Sequence, residues 1–184
     1  MRLFVAITLP EAVREILAGL ANGLPGARWV PPENLHLTLR FIGEVDGHQA
    51  RDVDEALSAI RMPGFALSLS GVGNFGDGRK LRVLWAGVDP NPELGRLHDK
   101  VEQSLIRAGL EPDARKFKPH VTLARFKPGN GPKPGPKLQD FLSRHALYRS
   151  ETFPVERFTL YSSFLSSSGS IYTPEADYDL ERGG

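Results

Sequence analysis

His36-Leu37-Thr38-Leu39 and His120-Val121-Thr122-Leu123 are the two stretches on which the reading of this chain turns. The chain has 184 residues, five of them histidine. Shuffling its composition gives about 0.2 His-x-Thr triplets per chain. Two are present, each with apolar second and fourth positions. In a strand, residues i and i+2 share a face. His36 and Thr38 therefore point one way and Leu37 and Leu39 the other, and the second motif does the same. Each motif offers an imidazole and a hydroxyl above an apolar anchor.

Outward from the motifs, the pattern alternates strand and helix. Residues 3–8 read as a buried strand ended by Pro10, and 11–21 as a helix with Val13, Ile16, Leu17 and Leu20 at 3.6 spacing. Residues 35–42 read as a strand, 49–60 as a helix and 65–70 as a strand. The second half repeats the order: strand 81–88, helix 93–108 with Gly109 at its C-terminus, strand 120–126, short helix 138–147 and strand 153–164. Residues 171–180 read as a last strand interrupted by Pro174. The chain thus reads as one domain, 1–184, with approximate half-repeats 1–78 and 79–184 and a motif at the same point of each. If the two halves pack about a pseudo-twofold axis, the two His/Thr faces meet across one cleft.

Two imidazoles facing one substrate make an acid/base pair near neutral pH, one neutral while the other is protonated. Threonine hydroxyls can donate to phosphoryl oxygens as charge builds on them. That inventory suits in-line attack on a phosphodiester: one histidine takes a proton from water and the other gives one to the leaving oxygen. Chemistry alone does not say which is which. Arg40, four residues after His36, is expected on the His36 face. Phe41, at offset five, is a candidate for stacking on a base, with a core position as the competing assignment. Arg125 stands at the same odd offset from His120 and can reach the site only if a bulge or the strand end turns it.

Composition narrows the alternatives. Hydrophobic residues make up 40% of the chain and charged residues 24%, a globular balance. Cysteine is absent, which removes disulfides, Cys-ligated zinc and a thiol nucleophile. Net charge is +1, so any polyanion site must come from local clustering. Such a cluster exists over 114–139, where Arg115, Lys116, Lys118, Arg125, Lys127, Lys133 and Lys137 occur without an acidic residue. Within it, 127–137 is rich in Pro, Gly and Lys and reads as a mobile loop. No metal-ligand spacing is visible, and neither a metal nor a cofactor is expected. The apolar run at 3–9 is too short for a signal peptide, and nothing approaches a membrane span. The expectation is a soluble, cytoplasmic monomer. Gly71-Val72-Gly73-Asn74-Phe75-Gly76 fits G-x-G-x-x-G but reads as a hairpin connection, not a dinucleotide fingerprint. His48, His98 and His145 read as surface residues and the serines of 162–170 as a turn.

The paired motifs resemble those of the 2H phosphoesterase superfamily. Within it the chain is similar to the RNA 2′,3′-cyclic phosphodiesterases, also called 2′-5′ RNA ligase-like proteins. The likeness runs through Arg2-Leu3-Phe4-Val5-Ala6, 35–43, Gly71-Val72-Gly73-Asn74-Phe75 and 118–125. It implies an α+β fold of two lobes related by a pseudo-twofold axis. Each lobe would be an antiparallel sheet flanked by helices, with the active site in the cleft between them. It implies metal-free hydrolysis of a terminal 2′,3′-cyclic phosphate of RNA to a 2′-phosphate, with tRNA halves among the candidate partners. By the same resemblance His36 matches the proton donor, His120 the proton acceptor, Thr38 and Thr122 the phosphate-binding hydroxyls, and Arg125 a phosphate-neutralising arginine. The competing readings are a 2′-5′ RNA ligase, a non-catalytic RNA-binding module and a phosphodiesterase for small cyclic nucleotides or 2′-5′ oligoadenylate.

Overall fold

Leu37 and Val121, both fully buried, are the one residue pair through which the two halves of the main sheet join. In the computed structural model, which describes residues 1–182, the chain begins β1 (Arg2–Thr8), α1 (Glu11–Gly19), β2 (Arg28–Trp29), β3 (His36–Glu44) and α2 (Gly47–Ser58). It continues β4 (Phe65–Leu67), β5 (Leu69–Phe75), β6 (Val83–Val88), α3 (Pro92–Arg107) and β7 (His120–Arg125). It closes with α4 (Lys137–Arg144), β8 (Phe153–Val155), β9 (Arg157–Ser166) and β10 (Gly169–Asp179). The sheet order is β10-β9-β1-β3-β7-β6-β5, with β2 also on β7. Every pairing in it is antiparallel.

Two lobes follow, β10-β9-β1-β3 and β7-β6-β5 with β2, and they are related by a pseudo-twofold axis through the Leu37–Val121 pair. β1 and β6 correspond, as do β3 and β7, and β9 and β5. Each half of the chain lends strands to the other lobe: β5 pairs with β6 and β2 with β7, while β9 returns to pair with β1 and carries β10 with it. The sequence midpoint at 78/79 is therefore not the boundary between the lobes. β4 and β8, which precede the exchanged strands, pair in a separate two-stranded ribbon.

The helices cover the face to which Leu37 and Val121 point. α3 buries Leu94, Leu97, Val101 and Leu105, one apolar stripe at helical spacing. It starts at Asn91, whose side chain accepts from the amides of Glu93 and Leu94, followed by Pro92. α2 starts with a reciprocal capping box between Asp46 and Gln49 and buries Val53 and Leu57. α1 contributes Val13 and Leu17, and α4 contributes Leu138 and Phe141.

Four local expectations change. The Gly-rich stretch at 71–76 is mostly strand, not connection: β5 runs to Phe75, and only Gly76 opens the turn into β6. Gly73 is fixed by a close approach, since a Cβ there would sit 2.3 Å from the Trp85 ring that crosses it. Pro174 does not end the last strand, because β10 absorbs it with a register shift between Pro174 and Ala176. The segment 127–137 is seated rather than free. Pro134 is buried, the Pro132 carbonyl lies against Gly26, and the Lys133 ammonium donates to the carbonyls of Lys127, Gly129 and Gly131. The serines of 162–170 lie mainly in β9 and β10, with only 167–168 forming the turn.

Leu37 carries the seam alone on its strand. Leu37→Ala is expected to cost about 2–5 kcal/mol in a urea titration, the range for a cavity in a fully packed core. A cost under about 1 kcal/mol would mean that the seam is held elsewhere.

Candidate active site

Antiparallel pairing of Leu37 with Val121 sets His36 across from Thr122 and Thr38 across from His120. The four polar side chains lie on the face away from the helices, flanking the seam, and all four are half-buried. By this register the two motifs share one face of the sheet at the seam.

Beyond the motifs both strands carry the same irregularity. On β3, Ala6 faces Thr38 but Val5 faces Arg40, so Leu39 is the extra residue of a bulge. On β7, Trp85 faces Thr122 but Leu84 faces Ala124, so Leu123 is its counterpart. A one-residue bulge reverses the alternation. Position five after each histidine therefore returns to the histidine face, and position four does not. Phe41 and Arg125 occupy that fifth position, both exposed, Phe41 at 50%.

Arg40 is the correction that the bulge forces. Expected beside His36, it is 7% exposed on the opposite, helix-covered face. Its Nε donates to Glu102 Oε2 at 2.7 Å, and its Nη atoms donate to Glu102 and to the carbonyls of Phe41 and Glu111. Burial would raise the Glu102 carboxyl, but hydrogen bonds from Arg40 and the Asp113 amide hold it below its ordinary value. Arg40 ties β3 to α3 and to the loop before β7, and has no place at the cleft.

The two imidazoles are held alike. His36 Nδ1 lies 2.6 Å from the Asn34 carbonyl, and His120 Nδ1 lies 2.6 Å from the Lys118 carbonyl. A carbonyl oxygen only accepts, so each Nδ1 carries a proton and each Nε2 is the atom left to take or give one. His36 Nε2 is 2.9 Å from Thr38 Oγ1. Burial pushes the His36 pKa below its ordinary value; the Asn34 bond opposes this, and the Arg125 guanidinium and His120 add to the lowering. Burial also lowers His120, opposed by the Lys118 bond and reinforced by Arg125. Arg125 thus acts on both rings from one position.

The surroundings contain residues that sequence reasoning missed. On the His36 side, Phe4 lies 5.0 Å from the imidazole and Tyr172 stands edge-on to it at 5.4 Å. Tyr161 stacks on Phe4 at 5.2 Å, and its hydroxyl is hydrogen-bonded to Thr8. The Asn34 side chain donates to the Ser170 carbonyl at 3.0 Å, which draws the β9–β10 hairpin over this ring. On the His120 side, Phe75 meets the imidazole edge-on at 4.9 Å and packs on Trp85. These aromatics come from five strands other than β3 and β7, and no local motif marks them. Their signal was the parity of β1, β5, β6, β9 and β10 relative to the motifs.

The remaining candidates lie elsewhere. His48 is exposed and 3.7 Å from Asp52. His98 is not a plain surface residue: its ring stacks flat on Phe117 at 4.0 Å. His145 packs edge-on against Phe141, and burial lowers its pKa. Of the basic stretch, Arg115 is paired with Asp113 at 3.2 Å, and Lys133 is turned into its own loop. Among the described residues, no group of three or more His, Cys, Asp or Glu is placed to hold a metal ion, and no helix is long and apolar enough to cross a membrane.

Comparison with known proteins adds to this geometry. The family model described as LigT like Phosphoesterase matches the chain twice, over 7–85 and 87–172. The RNA 2′,3′-cyclic phosphodiesterase of Archaeoglobus fulgidus is 38% identical over 179 residues, 94% of this chain and 96% of that protein. The Escherichia coli protein of the same name is 33% identical over 177 residues, 94% of this chain and 93% of that one. Among solved structures, Escherichia coli LigT complexed with 3′-AMP superposes with a TM-score of 0.77 at 30% identity, covering 97% of both chains. A Thermus thermophilus structure gives 0.78 at 30% identity, covering 98% of both.

Removing the Arg125 charge should raise the pKa of both histidines, because its field opposes protonation of each. Arg125→Gln is expected to move the ring-proton NMR titrations of His36 and His120 upward together. A shift of only one ring would show that Arg125 does not lie between them.

Proposed function

The chain belongs to the LigT-like phosphoesterase family, and on that premise we propose that it hydrolyses the terminal 2′,3′-cyclic phosphate of RNA to a 2′-phosphomonoester. The observation that carries the reading is the symmetric pair of imidazoles across the Leu37–Val121 seam, each locked with its Nε2 atom available for proton transfer.

The steps follow from that arrangement. Water attacks phosphorus while the bond from phosphorus to O3′ breaks in line. His120 Nε2 takes the proton from the attacking water, and His36 Nε2 gives a proton to O3′; the family resemblance sets this polarity. Thr38 and Thr122 donate to the non-bridging oxygens as negative charge grows on them. Arg125 neutralises the phosphate. Phe41, exposed on the same face, offers a surface for the terminal base. After one turnover His120 carries the extra proton and His36 lacks one, and exchange with solvent restores both.

The lowered histidine pKa values bear on the first proton. In the free protein both rings are held toward the neutral form, which suits a base and not an acid. A bound phosphodiester is an anion beside both rings and raises both values. The bell-shaped profile of kcat is therefore expected at higher pH than that of kcat/KM, since kcat/KM reports the free enzyme.

His36→Ala and His120→Ala should each lower kcat about 10²–10⁴-fold. Each should remove one limb of the bell, and the double variant should fall well short of the product of the two losses. The assay uses RNA ending in a 2′,3′-cyclic phosphate, in EDTA, with the product end identified. Turnover that disappears in EDTA, or a 3′-phosphate product, would refute the mechanism.

A further inference from the structure

The cleft face continues past the motifs to a second arginine. β2 adds only two residues to β7, and their register is Arg28 opposite Arg125 and Trp29 opposite Ala124. Trp29 packs on the core with Phe141, as the partner of buried Ala124 should. Arg28 therefore shares the Arg125 face, which the β7 bulge has turned to the cleft. Both arginines are exposed.

Like charges directly opposite each other on adjacent strands are destabilising. Two charges of the basic stretch are neutralised by contrast: Arg115 is paired with Asp113, and Lys133 is folded onto carbonyl groups. Arg28 and Arg125 have no acidic partner among the described residues. An anion shared between two guanidinium groups would relieve the repulsion and use their geometry. The two are not equivalent in reach. Arg125 stands on the motif strand and lowers the pKa of both histidines, whereas Arg28 stands on the neighbouring strand β2, opposite Arg125 and not a histidine, one step farther from the reacting phosphorus.

Resting on the phosphodiesterase reading, we propose that Arg28 binds the internal phosphodiester next to the terminal nucleotide, with Arg125 bridging toward the cyclic phosphate. The RNA strand then leaves the cleft over β7 and β2. The chemistry required is a second backbone phosphate, not a particular base. A cyclic mononucleotide has no such group and gains nothing from Arg28, whereas a short RNA does.

The test compares kcat/KM for a 2′,3′-cyclic mononucleotide with that for a trinucleotide bearing the same end. In Arg28→Gln the ratio of RNA to mononucleotide should fall about 10- to 100-fold, the range for one lost charged hydrogen bond. The log–log salt dependence for the trinucleotide should flatten by about 0.7, one single-strand phosphate contact. Arg28→Lys should recover part of the ratio, and Arg51→Gln, on α2, should leave it in place. An unchanged ratio in Arg28→Gln, whether both substrates suffer equally or neither suffers, overturns the proposal. If the wild-type chain turned over neither substrate, the phosphodiesterase reading would fail instead. The salt slope of trinucleotide affinity, with and without Arg28, would then decide on Arg28 alone.

Discussion

Everything at the cleft depends on one antiparallel contact, Leu37 against Val121. Because strand side chains alternate, burying these two residues on the helix side obliges their neighbours to face the other way. His36, Thr38, His120 and Thr122 are therefore presented together by the same packing that joins the lobes. The core and the site are two faces of one constraint. A one-residue slip at the seam would exchange them, sending the imidazoles into the core and leucines into the cleft.

The matched bulges after the motifs extend that constraint. They bring Phe41 and Arg125 onto the cleft face and send Arg40 and Ala124 inward. The pseudo-twofold is matched in backbone pattern at the motifs and their bulges and broken in chemistry, with an aromatic ring on one lobe and a guanidinium on the other. Shelter is also unequal. The β9–β10 hairpin, tied through Asn34 to Ser170, brings Tyr172 against His36. Among the described residues, His120 has only the edge of Phe75 beside it as an aromatic contact. A cleft closed on one side and open on the other suits a reaction that needs a nucleoside held on one side of phosphorus and water admitted on the other.

Much of this was legible in the sequence, and the exceptions have a common cause. The His-x-Thr spacing, the alternation around it and the repeated element order led to the four candidate His and Thr residues, because each rests on local periodicity, and the family resemblance implied the two lobes. Arg40 was misplaced because a bulge is set by tertiary packing and leaves no mark on a six-residue window. The counterpart bulge on β7 is the device that Arg125 required. Strand exchange between the lobes was hidden because β5 and β9 look the same in sequence whichever neighbour they pair with. The aromatic surround of His36 draws on residues as far apart as Phe4 and Tyr172, and it becomes visible only once β9 and β10 are known to return to β1. The loop at 127–137 read as mobile from its composition, yet Lys133 and Pro134 give it internal bonds and a buried anchor.

The central claim is that both histidines act on one phosphorus atom. Titration of the wild-type protein with 2′-AMP, which carries the 2′-phosphomonoester of the product, tests this directly when both imidazole rings are followed by NMR. The account predicts that the pKa values of His36 and His120 rise together, with one saturation curve for the two rings. A response from one ring alone, or two separate affinities, would contradict it.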